Sequence, residues 1–127
     1  MVGAQALGIA RAAFEFARDY AKERIAFGKP IIENQAIAFK LADMAMEIEA
    51  ARMLVWRALW LGRNGGEFKM AEGSMAKLKC GEVAVKVTED ANQNLGGYGY
   101  IRDFPVEKWH REAKHDTLDE GTPGSQR

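Results

Sequence analysis

Few residues in this chain have the chemistry to act on a ligand, and their spacing narrows what each could do. His110 and His115 stand five apart, which misses the i, i+4 step that sets two imidazoles on one helical face, and no HExxH sequence occurs. No metal centre is expected. Cys80 is the single cysteine, so an internal disulfide and multi-cysteine metal sites are excluded, and it reads as a small buried hydrophobe. Gly96-Gly97-Tyr98-Gly99 follows a helical pattern instead of joining a strand to a helix, so a Rossmann-type phosphate loop fails on context. On its own it reads as a helix C-cap and turn, where glycine takes positive φ without strain. The run Glu23 to Pro30 reads in the same way as a helix end, with basic residues near the negative pole and Gly28 at the stop. Asp119 and Glu120, ahead of Gly121-Thr122, read as solvated acids before a further helix.

The elements that must position these residues are helices. The 127 residues fit one domain, and 47% apolar with 28% charged residues is a globular composition. Eighteen basic against eighteen acidic residues leave no net charge, so there is no basic excess for nucleic acid, and phosphate recognition must be local. The N-terminal run is no signal peptide, because Arg11, Glu15 and Arg18 interrupt it, and no stretch suits a membrane span. One cysteine suits a reducing, intracellular compartment. The chain opens in helical pattern and stops after a Gly-Thr-Pro turn, as a piece of a longer protein would.

Only three prolines occur, and glycine clusters divide the rest into about four helical segments. The first is expected from Val2 to Ile25, with Ala6, Ile9, Ala13, Phe16 and Tyr20 along its apolar stripe. The second runs from Glu33 to Leu61, about 45 Å at 1.5 Å per residue. The third runs from Glu67 to Leu95, with Ala76, Cys80, Val83, Val87 and Ala91 inward. A shorter fourth starts at Pro105, a residue suited to the first turn, and ends near Lys114. The expected fold is all-α, an up-and-down four-helix bundle. The second helix carries two stripes on nearly opposite sides: Ile37, Leu41, Met44, Ile48, Ala51, Val55 and Ala58 on one, Phe39, Ala42, Met46, Ala50, Met53, Trp56 and Trp60 on the other. One stripe serves the core. The other needs a cover, either another domain of the same chain or another subunit, unless neighbouring helices wrap both sides.

Taken in order, the motifs resemble the C-terminal helical domain of the acyl-CoA dehydrogenases, short- and medium-chain members above all. They are Arg24-x-x-Phe27-Gly28-Lys29-Pro30, Asn34-Gln35-Ala36, Leu41-Ala42-Asp43-Met44, Gln93-x-Leu95-Gly96-Gly97-x-Gly99, Pro105-Val106-Glu107-Lys108, Arg111-x-Ala113-Lys114 and Glu120-Gly121-Thr122. The resemblance covers essentially residues 1–127. It implies an FAD flavoenzyme of fatty acid β-oxidation that oxidises an acyl-CoA thioester, a base taking the α proton while the β hydrogen leaves as hydride to flavin N5. It also implies an electron-transfer flavoprotein as acceptor, a homodimer or homotetramer, and a location in the cytoplasm of a bacterium or the mitochondrial matrix of a eukaryote. Glu120 matches the catalytic glutamate, and a carboxylate desolvated enough to hold a raised pKa suits a weak carbon acid. Arg24 matches the arginine on the FAD pyrophosphate of the neighbouring subunit, a role suited to its fork of donors. Phe27 and Gln35 match residues beside it, Gln93 and Gly97 match contacts to the ADP half, and Thr122 matches a contact near the flavin phosphates.

Two departures stand out. Asp119 replaces the usual aromatic residue before the glutamate, and Pro123-Gly124 replaces a Ser-Gln pair, removing an amide contact to FAD. The family's N-terminal helical domain and middle β domain are not in this sequence, so the isolated chain is expected to be inactive. Two alternatives follow: a non-catalytic helical oligomerisation or interaction module, and an acyl-CoA oxidase domain.

Overall fold

The computed structural model describes residues 2–67 and 71–119. Four helices, α1 (Val2–Glu23), α2 (Gln35–Arg63), α3 (Glu72–Leu95) and α4 (Val106–Asp116), form the expected all-α bundle. The N-termini of α1 and α3 share one end with the C-termini of α2 and α4: Gly3 packs on Lys77, Arg57 reaches Glu72, and Gln5 reaches Asp116. The connectivity is therefore up-down-up-down, with α3 touching all three other helices.

On α1 the buried seam is Gly3, Ala6, Ala10, Ala13, Ala17 and Ala21, a stripe of small residues that differs from the one expected. Ile9, Phe16 and Tyr20 are only partly buried and pack along its edges. Alanine permits the close approach of α1 to α3: a side chain built at Gly3 would already lie 3.4 Å from the Lys77 backbone. The first stripe of α2 fills the core as expected, Leu41, Met44, Ile48, Ala51 and Val55 being buried. All five expected inward residues of α3 are buried. The second stripe of α2 is not wrapped by neighbours, since Phe39, Met46, Met53, Trp56 and Trp60 all remain exposed, the last at 65%.

The run after α1 departs from a simple helix end. The helix stops at Glu23, and Ile25–Ala26 (β1) pairs antiparallel with Lys29–Pro30 (β2) in a minute hairpin. Its two central residues, Phe27 (φ 54°) and Gly28 (φ 80°), both have positive φ, as a tight two-residue hairpin turn demands. Gly28 is thus a hairpin residue and not the helix stop. A 3-10 turn at Ile31–Glu33 then leads into α2. At the end of α3, Gly96 (φ 60°) caps the helix and Gly96–Gly99 forms a 3-10 turn, in line with the cap-and-turn reading.

Candidate functional site

At the end of the bundle where α1 and α3 finish, three of the expected cofactor residues meet. Arg24, Gln93 and Gly97 line one groove of about 330 Å³, together with Tyr20, Ile31, Asn94 and Tyr98. The Arg24 backbone is fixed on both sides, its N–H donating to Tyr20 O and its carbonyl accepting from Ile31 N–H. Its guanidinium lies over the Tyr98 ring, 5.7 Å from the centroid. Tyr98 leans on Phe104 at 5.5 Å, and Phe104 meets Phe16 and Tyr20 edge to face. An aromatic cluster drawn from α1 and the segment before α4 therefore holds the cation at the rim.

The groove has the chemistry for a nucleotide diphosphate. A side chain built at Gly97 would meet nothing within 4 Å, which leaves open backbone where a ligand can approach. Arg24 supplies charge, Gln93 an amide, and Asn94 on the wall holds two buried amide atoms without partners. A charged guanidinium, an amide and open backbone on one groove fit the diphosphate part of a cofactor such as FAD. Phe27 and Gln35 lie at the same end, fully exposed at the hairpin tip and exposed at the start of α2, but line none of this groove.

The opposite end carries the approach to the acids. Lys77 Nζ donates to Thr117 O at 3.3 Å, Gln5 Nε2 donates to Asp116 Oδ1 at 3.4 Å, and Thr117 packs against Gly81. The C-terminus of α4 is thereby clamped to α1 and α3. Asp116 is buried, and desolvation raises its pKa, with Asp119 and Glu112 adding to the rise while His115 and Lys77 oppose it. His115 and Asp119 pair at 3.4 Å, both exposed. With Asp116 they bring possible metal-ligand atoms within 4.8 Å of one another, a grouping that the five-residue histidine spacing did not reveal. Glu120 and Thr122, with Pro123 and Gly124, lie outside the described residues.

The remaining reactive groups are structural. Cys80 is fully buried against Ala51 O, and desolvation pushes its thiol up to about 11, opposed by Lys79. The buried Thr88 hydroxyl donates to Ala84 O at 2.7 Å, so at 3.0 Å it accepts from His110 Nδ1–H. Among the described residues no helix is long and apolar enough to cross a membrane.

Fold and groove together define a four-helix-bundle domain with an open groove lined by Arg24, Gln93 and Gly97 at one end. The family model described as acyl-CoA dehydrogenase, C-terminal domain, matches residues 1–127, and the chain belongs to that family. It is 54% identical over 129 residues to an acyl-CoA dehydrogenase of Bacillus subtilis (strain 168), covering 99% of this chain and 33% of that one. It is 48% identical over 118 residues to a 3-sulfinopropanoyl-CoA desulfinase of Paraburkholderia xenovorans, covering 92% and 30%. The structure of butyryl-CoA dehydrogenase from Megasphaera elsdenii superposes with a TM-score of 0.96 at 47% identity, covering 98% of this chain and 32% of that one. The chain thus spans about a third of the length of these relatives.

Proposed function

We propose that this chain is the C-terminal bundle of an FAD-dependent acyl-CoA dehydrogenase, with Glu120 as the base that removes the α proton of the thioester. Arg24, Gln93 and Gly97 hold the ADP half of a flavin whose ring sits in a neighbouring subunit, Phe27 and Gln35 flank them, and Thr122 lies near the flavin phosphates. The observation that carries this reading is the convergence of Arg24, Gln93 and Gly97 on one groove with open backbone at Gly97. That groove lies at the end of α3 opposite Asp119, and 24 residues at about 1.5 Å make the helix roughly 36 Å long. A flavin's diphosphate and ring are only a ribityl chain apart, so the two ends of one bundle serve two different cofactor molecules. Two copies of the chain are then needed per site, and the exposed Trp56 and Trp60 face is the surface on which a homodimer or homotetramer packs.

In the reaction the Glu120 carboxylate accepts the proton from the substrate Cα, and it must be desolvated to be basic enough. Lys77 and Gln5 clamp the end of α4 at Thr117 and Asp116, a few residues before Glu120 in the sequence. A flavin held in the site would supply the acceptor for the β hydride, and an electron-transfer flavoprotein would be the partner that takes up the electrons. The substrate class is a short-chain acyl-CoA, by analogy with the butyryl-CoA dehydrogenase.

A second reading, a different reaction on a CoA thioester, is favoured by the desulfinase relative and by Asp119 beside Glu120. Domain exchange separates the two. With this chain replacing the C-terminal third of the Megasphaera butyryl-CoA dehydrogenase, the hybrid should be yellow and bleached by butyryl-CoA. A hybrid that keeps flavin but is never bleached favours the second reading. In the same hybrid, Arg24→Ala should lose flavin on dialysis; unchanged flavin content would leave Arg24 a helix-end cation only.

A further inference from the structure

Asp116, at the end of α4, is 3% exposed, and its carboxylate is only half satisfied. Oδ1 accepts from Gln5 Nε2 at 3.4 Å, while Oδ2 has no hydrogen-bond partner among the described residues. A buried carboxylate oxygen left empty calls for a donor or a cation from outside the chain. Two more groups of ligating chemistry stand beside it. After α4 the chain closes in a turn, the N–H groups of Leu118 and Asp119 both donating to His115 O. This folds the Asp119 carboxylate back onto the His115 ring, Oδ2 to Nδ1 at 3.4 Å. One ligating atom from each of His115, Asp116 and Asp119 lies within 4.8 Å of the others. Lys77 on α3 adds a positive charge nearby, but the carboxylates of Asp116, Asp119 and Glu112 outnumber it.

We propose that His115, Asp116 and Asp119 form a site for a divalent first-row transition ion of the zinc type. Imidazole together with carboxylate oxygens suits such an ion, whereas calcium and magnesium take all-oxygen sets. Zinc binds imidazole nitrogen and carboxylate oxygen at about 2.0–2.2 Å, so two ligands of a tetrahedron sit roughly 3.4 Å apart. The His115–Asp119 pair already has that spacing. Asp116, held by Gln5, is the fixed ligand, and His115 and Asp119, 71% and 51% exposed, have room to close on the ion from the solvent side. Three protein ligands leave a further position for water. The site does not depend on the flavin groove, which lies at the other end of α3.

The test titrates the chain with Zn²⁺ by calorimetry and follows both histidine rings by NMR. The His115 ring signals should shift, while those of His110, whose Nδ1 is engaged by the Thr88 hydroxyl, should not. Asp116→Asn and His115→Ala should each weaken binding by at least ~10-fold, the loss that even an outer-shell substitution causes. Zn²⁺ should raise the Tm of the unmodified chain and not that of Asp116→Asn. Unaltered affinity in Asp116→Asn would overturn the site, leaving a lone surface imidazole if His115→Ala alone loses the ion. Zn²⁺ that moves only the His110 signals, or that leaves the His115 ring unmoved, would overturn it as well. The NMR arm uses the unmodified chain and does not depend on how either variant folds.

Discussion

Phe27 occupies a conformation that its own side chain opposes. Its φ of 54° lies in the left-handed region, which costs an L residue with a Cβ roughly 1–2 kcal/mol. Nothing in the bundle offsets this, because the ring is fully exposed. Phe27→Asn would create Asn-Gly at the two central positions of the hairpin, the pair such turns favour, since asparagine tolerates positive φ. No burial is lost, so the substitution should stabilise the chain by ~1 kcal/mol. At roughly 2.1 cal/mol/K of unfolding entropy per residue, that is about a 4 °C rise in Tm for a chain of this length. The assay is thermal unfolding by circular dichroism at a concentration low enough to keep the chain monomeric. In the flavin-bearing hybrid the same variant should lose flavin affinity, because the strained aromatic tip is then a cofactor contact. A fall in Tm of the isolated monomer would refute the reasoning, since it would mean that the ring contributes to the fold.

Met44→Ala should cost about 2–5 kcal/mol, as for other buried Met truncations, because Met44 is 1% exposed in the core; urea denaturation reads it. Cys80 holds its proton more tightly folded than unfolded, so the stability it contributes is complete below about pH 9 and lost as pH rises through about 11. Cys80→Ala should flatten that part of the alkaline stability profile, and a profile identical to the parent's would refute the assignment. Asp116 also has a raised pKa from burial, so its protonated form favours folding below the ordinary carboxylate range, and that contribution is lost as pH rises through the folded value. Asp116→Asn should therefore stabilise the chain at neutral pH, with the gain shrinking under acid, as measured by Tm against pH. Trp60→Glu should shift the chain toward monomer in sedimentation, since Trp60 belongs to the exposed stripe with Phe39, Met46, Met53 and Trp56.

Helix number and the inward face of α3 were legible because period 3.6 is strong over long Ala-, Leu- and Val-rich segments. The two-sided α2 was legible for the same reason, and its second face is indeed exposed. The seam of α1 was not, because weight given to large apolar residues conceals a stripe of alanines chosen for close approach. The hairpin was hidden by its size and by Phe-Gly where Asn-Gly would have announced it. Arg24, Gln93 and Gly97 were visible only through motif resemblance. Their meeting in one groove depends on Tyr98 and Phe104, contacts that span much of the chain and leave no local signature. Asn94 and Asp116 look like ordinary polar helix residues in sequence, and only their burial sets them apart.

The central claim is that Glu120 is the base of a flavin-dependent oxidation built on this bundle. Rapid mixing of butyryl-CoA with the hybrid dehydrogenase, followed at the flavin absorbance band, tests it directly when Glu120→Gln is compared with the unmodified hybrid. The account predicts that the variant retains flavin and binds the thioester but is reduced at least ~10²-fold more slowly, the lower bound for loss of a general base. Asp119→Asn should keep most of the rate. Reduction of the Glu120→Gln hybrid at the unmodified rate would contradict the account.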